Sequence, residues 1–112
     1  MPFRAIATDL DGTLLRSDRT VSDRTRAAVH AAEDAGLLFV IATGRPPRWI
    51  PPIVELLGER GLVVCGNGAS VYDPARHELV SRTELAGDVT ESIVDDLQAA
   101  FPDVVVGVEQ GF

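Results

Sequence analysis

Three short apolar runs, each followed by polar residues, organise the first part of the chain. The runs lie at residues 3–8, 37–42 (LLFVIA) and 62–65 (LVVC). Runs of this length with little alternation are typical of strands in a parallel sheet, which is covered by helices on both faces. The pattern therefore predicts three parallel strands with helical cover.

Helical patterns lie between these runs. Residues 22–35 are rich in alanine, begin with Ser22 as a helix N-cap, and are followed by Gly36, which suits the left-handed position after a helix. A second helix is expected within Pro52–Glu59, after a proline-rich segment that makes its start irregular. Strand, helix and strand in this order predict a βαβ unit and an α/β fold.

The pattern changes after the third run. Residues 66–68 (GNG) form a turn signal, and residues 69–73 and 77–82 are expected to pair as a hairpin. The parallel-sheet part is therefore predicted to cover residues 1–68. Residues 69–112 are predicted to begin a second domain that is built differently.

This second part contains one helical pattern and one further apolar run. We expect a helix over Val89–Phe101 with Asp88 as its N-cap. The run VVVGV at residues 104–108 is expected to form a strand.

Composition limits the classes of function. The chain has 112 residues, is 46% hydrophobic and 24% charged, and so lies in the ordinary globular range. Its net charge of -7 argues against a sequence-independent nucleic-acid binder, which needs a basic face. The single cysteine, Cys65, cannot form an internal disulfide, and no signal peptide or run of membrane-spanning length is evident. A cytoplasmic protein with no membrane partner is the expectation.

Two carboxylates, Asp9 and Asp11, directly follow the first predicted strand. Ligands of open parallel sheets gather at the carboxyl ends of the strands, and two carboxylates there favour a shared cation such as Mg²⁺. Asp9 can then attack phosphorus, Asp11 can act as general acid and base, and Gly12 allows backbone N–H groups to approach a phosphate. A plain acidic turn is an equally good interpretation of this spacing alone.

Polar residues follow the other two strands as well. Thr43, Gly44 and Arg45 follow the second strand, and Asn67 and Gly68 follow the third. A hydroxyl, a flexible backbone and a guanidinium are phosphate-binding groups. Viewed alone, a polar loop with a surface arginine is the better interpretation of the first cluster, and a plain Asn-Gly turn explains the second at least as well. Three clusters after successive strands favour one phosphate site at one edge of the sheet.

The stretches TDLDGTLL, IATGRP and GNGA resemble, in order and spacing, the haloacid dehalogenase superfamily of phosphotransferases, and particularly its sugar-phosphatase-like branch. The resemblance implies a Rossmann-like core whose first half is residues 1–68, with an α/β cap domain that begins within residues 69–112.

Roles for individual residues follow from the same resemblance. It implies Asp9 as the nucleophile, Asp11 as the general acid and base, and Thr43 as the hydroxyl that orients the phosphoryl group. It also implies Mg²⁺ held by the Asp9 side chain and the Asp11 backbone carbonyl. Gly44, Arg45 and Asn67 are implied to line the site, with Arg45 contacting the substrate.

Two parts of the family pattern are absent from the sequence. The family uses a basic residue, usually lysine, and a later acidic pair, whereas all ten basic residues here are arginines and nothing after Gly68 resembles that acidic stretch. Phosphoryl transfer depends on positioning and charge neutralisation, so these absences predict low activity for the 112 residues alone. The expectation is that they are the N-terminal piece of a longer chain.

The predicted function is a Mg²⁺-dependent phosphatase that hydrolyses small phosphorylated metabolites, sugar phosphates foremost, through an aspartyl-phosphate. A phosphomutase of the same superfamily is one alternative. A non-catalytic phosphate- or Mg²⁺-binding module is another. The substrate and the oligomeric state stay open at this level.

Overall fold

The computed structural model describes residues 2–111, which form two compact units, one ending at Arg82 and the other beginning at Thr83. The first unit contains five strands and two longer helices, and the second contains one helix. The strands are β1 (Ala5–Asp9), β2 (Leu38–Ala42), β3 (Leu62–Cys65), β4 (Ser70–Asp73) and β5 (Glu78–Arg82), and the helices are α1 (Asp23–Asp34), α2 (Pro51–Leu57) and α3 (Gly87–Ala100).

The five strands form one sheet in chain order. β1, β2 and β3 are parallel, which confirms the predicted α/β class with its βαβ units. Their register aligns Asp9 with Ala42 and Ala42 with Val64. The carboxyl ends of the three strands therefore finish at one edge of the sheet, and the loops that follow them begin side by side.

The predicted hairpin is confirmed, and it continues the same sheet. β4 runs antiparallel to β3, with Ser70 opposite Cys65, and β5 runs antiparallel to β4. The turn after β3 reverses the chain directly onto that strand, so the first compact unit extends to Arg82 and passes the boundary expected after Gly68. The assignment of the two parts to a core and a cap domain stays a prediction.

Of the two predicted helix N-caps, one is confirmed and the other is wrong. Ser22 caps α1, because its Oγ accepts the Thr25 N–H at 3.0 Å, and Gly36 after the helix has a φ of 86°. At α3 the expected cap at Asp88 is wrong. The Ala86 carbonyl already accepts the Thr90 N–H at 2.9 Å, so the helix begins earlier and Asp88 lies in its first turn.

The core of the first unit lies on one face of the sheet. Phe39 and Ile41 of β2 face α1 and α2 and are buried, whereas Leu38, on the opposite face of the same strand, is 45% exposed. Both helices pack on this side, so among the described residues the helical cover lies on one face of the parallel strands. The buried apolar side chains are Leu10, Leu15, Val21, Val29, Phe39, Ile41, Ile50, Ile53, Leu57, Val63, Cys65 and Tyr72.

The second unit departs from the prediction at its end. Residues 104–108 adopt no strand, and the Val104 N–H donates to the Phe101 carbonyl at 2.9 Å, which is a turn contact. An apolar run forms a strand only when a partner edge accepts its hydrogen bonds, and the described residues of this unit contain no other strand. Throughout residues 2–111, no helix has the length and apolar character needed to cross a membrane.

Candidate active site

Asp9 stands at the end of β1 with its side chain exposed. Its Oδ1 accepts the N–H of Leu10 at 2.7 Å, and the Leu10 side chain is completely buried. The buried leucine anchors the chain directly after the carboxylate. Asp9 is therefore held at the strand-end edge, where a solvent-borne ligand can reach it.

A tight turn carries Asp11 away from β1. The Leu15 N–H donates to the Leu10 carbonyl at 2.9 Å and closes the turn. Within it Gly12 has a φ of 75°, and a Cβ added there would meet no atom within 4 Å. The backbone conformation, and not lack of space, therefore favours glycine at this position.

The second loop, Thr43, Gly44 and Arg45, is called the TGR loop below. Thr43 is buried, its N–H donates to the Val64 carbonyl of β3 at 2.9 Å, and its Oγ1 accepts the Arg45 N–H at 3.1 Å. A hydroxyl that accepts one hydrogen bond retains its own proton for donation. Thr43 can thus offer an O–H donor at the same edge as Asp9.

Arg45 and Asp11 form a two-bond ion pair between the first two loops. Arg45 Nε lies 2.8 Å from Asp11 Oδ2, and Arg45 Nη2 lies 2.5 Å from Asp11 Oδ1. The arginine side chain is 18% exposed and the aspartate side chain 55%. Hydrogen bonding to Arg45 lowers the pKa of Asp11, an effect that desolvation partly offsets, and the same bond raises the pKa of Arg45.

The sequence analysis placed both residues at the site without pairing them. The available signal was their opposite charge after neighbouring parallel strands. That signal does not distinguish an ion pair within the chain from a contact between Arg45 and a substrate.

The third loop, Gly66, Asn67 and Gly68, is called the GNG turn below. All three residues have positive φ angles, of 57°, 55° and 99°. The Gly66 N–H donates to the Arg45 carbonyl at 2.9 Å, and the Asn67 N–H donates to the Thr43 carbonyl at 3.3 Å. The three predicted clusters therefore lie at one edge of the sheet, joined in series by hydrogen bonds.

Gly44 lies against the Asn67 side chain. A Cβ built on Gly44 would lie 3.0 Å from Asn67 Oδ1, which is closer than a normal contact. Close approach of the two loops therefore favours glycine at position 44, because a Cβ there would push the Asn67 carboxamide aside.

The oxygen donors at this edge fit part of a Mg²⁺ shell. The described residues contain no group of three or more His, Cys, Asp or Glu side chains arranged to hold a metal. Arg45 occupies the Asp11 carboxylate, which leaves the Asp9 carboxylate and the Asp11 backbone carbonyl as candidate ligands. Both are hard oxygens of the kind that Mg²⁺ prefers, and Mg²⁺ commonly keeps several water ligands beside one or two from the protein.

Comparison with known proteins identifies the family. Residues 6–111 match the family of haloacid dehalogenase-like hydrolases. The HMP-PP phosphatase of Serratia proteamaculans is 35% identical over 92 residues, covering 82% of this chain and 33% of that protein. The 5-amino-6-(5-phospho-D-ribitylamino)uracil phosphatase YcsE of Bacillus subtilis is 35% identical over 93 residues, covering 83% of this chain and 37% of that protein.

Solved structures agree with these matches. A haloacid dehalogenase-like hydrolase from B. subtilis superposes with a TM-score of 0.76 at 33% identity, over 88% of this chain and 34% of that one. SMU.1108c from Streptococcus mutans shares the fold, with a TM-score of 0.76 at 23% identity, over 90% of this chain and 38% of that one. The 112 residues span about a third of the length of these relatives. They belong to the haloacid dehalogenase-like hydrolases.

Proposed function

We propose that the whole protein is a phosphatase that hydrolyses small phosphorylated metabolites through an aspartyl-phosphate on Asp9. The observation that carries the proposal is the alignment of Asp9 and the TGR loop at one strand-end edge, with Arg45 bonded to Asp11. An exposed carboxylate, a hydroxyl and a guanidinium at one edge are the groups that bind and attack a phosphoryl group.

Asp9 acts as the nucleophile. Its carboxylate oxygen forms a bond to phosphorus while the bond from phosphorus to the ester oxygen breaks, and that oxygen takes a proton from Asp11. In the second step Asp11 takes a proton from a water molecule, whose oxygen attacks phosphorus. Free phosphate leaves and the Asp9 carboxylate is restored.

Arg45 links substrate binding to this proton transfer. The pair with Arg45 favours the ionised form of Asp11, whereas the first step needs Asp11 to carry a proton. The phosphoryl oxygens of a substrate offer the guanidinium another anion, and turning toward them would release the Asp11 carboxylate. Arg45 would therefore contact the substrate as Asp11 becomes able to donate.

The remaining residues orient the phosphoryl group. Thr43 donates its hydroxyl proton to a phosphoryl oxygen, Gly12 and Gly44 keep the backbone close to the group, and Asn67 lines the same edge. Mg²⁺, if bound, would neutralise negative charge on the phosphoryl oxygens. The Asp9 side chain and the Asp11 backbone carbonyl are its proposed ligands.

The relatives support the substrate class. Two of them are named for HMP-PP and for a phosphorylated ribitylaminouracil, and both names describe small phosphorylated molecules. We extend only that class to this protein. The cytoplasmic location stays a prediction.

Phosphate release with and without Mg²⁺ tests the proposal. A panel of sugar phosphates, other small phosphate esters and an aryl phosphate is assayed with the complete gene product that carries this sequence and with the 112-residue chain. Each is compared with its Asp9→Asn variant and with Asp95→Asn, an equivalent change on α3. We expect release by the complete product and by Asp95→Asn, a loss of at least about a thousandfold in Asp9→Asn, and little release by the short chain.

Two other results would overturn the proposal. An isomerised sugar phosphate without net phosphate release would indicate a phosphomutase. Binding of Mg²⁺ and phosphate without turnover of any ester would indicate a binding module.

A further inference from the structure

The GNG turn forces its one non-glycine residue into a conformation that glycine prefers. Asn67 has φ 55° and ψ 33°, and it stands between two glycines that also have positive φ. Side chains with a Cβ are disfavoured there, and asparagine is among the residues that tolerate it best. The sequence at this turn therefore fits a backbone requirement before any role of the carboxamide is considered.

This backbone conformation directs two N–H groups at the TGR loop. The Gly66 N–H reaches the Arg45 carbonyl at 2.9 Å, and the Asn67 N–H reaches the Thr43 carbonyl at 3.3 Å. The Thr43 N–H in turn donates to the Val64 carbonyl of β3 at 2.9 Å. The two loops are thus joined by two backbone hydrogen bonds that depend on the path of the GNG turn, and the bond from Thr43 to Val64 ties the TGR loop to β3.

This series of hydrogen bonds, which begins at the GNG turn, ends at the Arg45 guanidinium. Its main-chain carbonyl is bonded to the GNG turn, and its side chain makes both hydrogen bonds to Asp11. A shift of the turn would move the Arg45 backbone and change the reach of the side chain. This effect needs no rearrangement elsewhere in the chain, because the Gly66 N–H is hydrogen-bonded directly to the Arg45 carbonyl.

We propose that Asn67 is a positioning residue, whose left-handed backbone holds the TGR loop and so places Arg45 against Asp11. Its carboxamide is not required as a phosphate ligand. The inference rests on the proposed function only where it treats the TGR loop as a phosphate-binding loop. The hydrogen bonds that carry it are independent of catalysis.

Glycine and alanine at position 67 separate the two roles. Both remove the carboxamide, but only glycine accepts a positive φ without cost. A positioning role predicts that Asn67→Gly keeps the Arg45–Asp11 pair and Asn67→Ala weakens it. A ligand role predicts that both variants lose phosphate binding equally and that neither disturbs the pair.

The readout is the Arg45 Nε–H signal in ¹⁵N NMR spectra of the 112-residue chain. A hydrogen bond to Asp11 shifts this signal and slows its exchange with water. We expect the shift and slow exchange to survive in Asn67→Gly, and exchange to quicken by roughly fivefold to tenfold in Asn67→Ala, as the cost of the left-handed conformation implies.

His77 provides the matched control. It has a φ of 54° in the turn between β4 and β5, so His77→Gly and His77→Ala impose the same backbone change away from the TGR loop. Both should leave the Arg45 signal unchanged.

Loss of the Arg45 signature in Asn67→Gly, or its full retention in a folded Asn67→Ala, would overturn the proposal. Should Asn67→Ala fail to fold, binding of inorganic phosphate by the Asn67→Gly chain decides, because a positioning role predicts that binding is retained relative to the parent and a ligand role predicts that it is lost. No phosphatase activity enters this measurement, so a failed assay of the complete product and a failed positioning role are distinguishable.

Discussion

The Arg45 guanidinium holds the Asp11 carboxylate through two hydrogen bonds, of 2.8 and 2.5 Å, between residues 34 positions apart. The pair connects the loop after β1 to the loop after β2. Because the next loop is bonded to the backbone of Arg45, the charge at Asp11 depends on three loops and not on its own turn alone.

Replacing Arg45 by glutamine should raise the pKa of Asp11 toward its ordinary value. Hydrogen bonding to Arg45 is the main cause of the lowered pKa, and glutamine carries no charge. A lowered folded-state pKa stabilises the chain at pH values above the unfolded-state pKa, and this contribution disappears as the pH falls through the folded-state pKa. The Arg45→Gln chain should therefore lose less stability than the parent on acidification below about pH 4.

Carboxyl NMR titration and urea unfolding between about pH 2 and 7 would measure both effects. Arg60→Gln is the matched control, because Arg60 makes a comparable exposed pair with Asp34 at 2.6 Å. That change should leave the Asp11 pKa where it is. An Asp11 pKa that does not move in Arg45→Gln would show that the pair is not formed in solution.

How much of the site the sequence could predict depends on which level of structure places each residue. Asp9 and Thr43 follow neighbouring strands, and parallel strands in register finish at one edge, so periodicity alone was enough to bring them together. The Arg45–Asp11 pair depends on the path of two irregular loops and on side-chain rotamers. Nothing in the spacing of residues determines those.

Within the fold as well, features set by local hydrogen bonds were predictable and features set by long-range contacts were not. Ser22 was predictable as a cap because a cap is a local hydrogen bond. The strand expected at residues 104–108 was wrong, because a strand needs a partner edge that a local pattern cannot supply. In the same way, the apolar run at residues 37–42 indicates that β2 can be buried on both faces, but it does not indicate which elements cover each face.

Gly44→Ala should destabilise the chain by about 1 kcal/mol, with most of the loss relieved when Asn67 is also changed to glycine. The added Cβ would lie 3.0 Å from Asn67 Oδ1, and removing that side chain removes the close contact. Urea unfolding of the parent, both single variants and the double variant gives the coupling free energy. Additive effects would show that the two loops do not touch at this point.

Gly61→Ala should be far more damaging than Gly36→Ala. Both glycines have a positive φ, of 79° and 86°, so both substitutions carry a backbone cost of about 1–2 kcal/mol. Only at Gly61 would the new Cβ also meet the Phe39 carbonyl oxygen, at 2.3 Å, in the middle of the sheet. We expect a loss of about 3 kcal/mol or more in the free energy of unfolding for Gly61→Ala. Equal losses in the two variants would contradict the close approach of Gly61 to β2.

Cys65 should react slowly with thiol reagents while the chain is folded. Its side chain is fully buried at the end of β3, and desolvation raises its pKa to about 11. At pH 8 about one thiol in a thousand would then be ionised, compared with roughly a quarter at an ordinary pKa of about 8.5. Burial and protonation act in the same direction, so iodoacetamide should label the folded chain at least about a hundredfold more slowly than the chain in urea.

The chain has no other cysteine, so mass spectrometry reports this site without background. Labelling at similar rates with and without urea would show that β3 opens readily, and the loops at its end would then lack the rigid support that the Arg45–Asp11 pair requires.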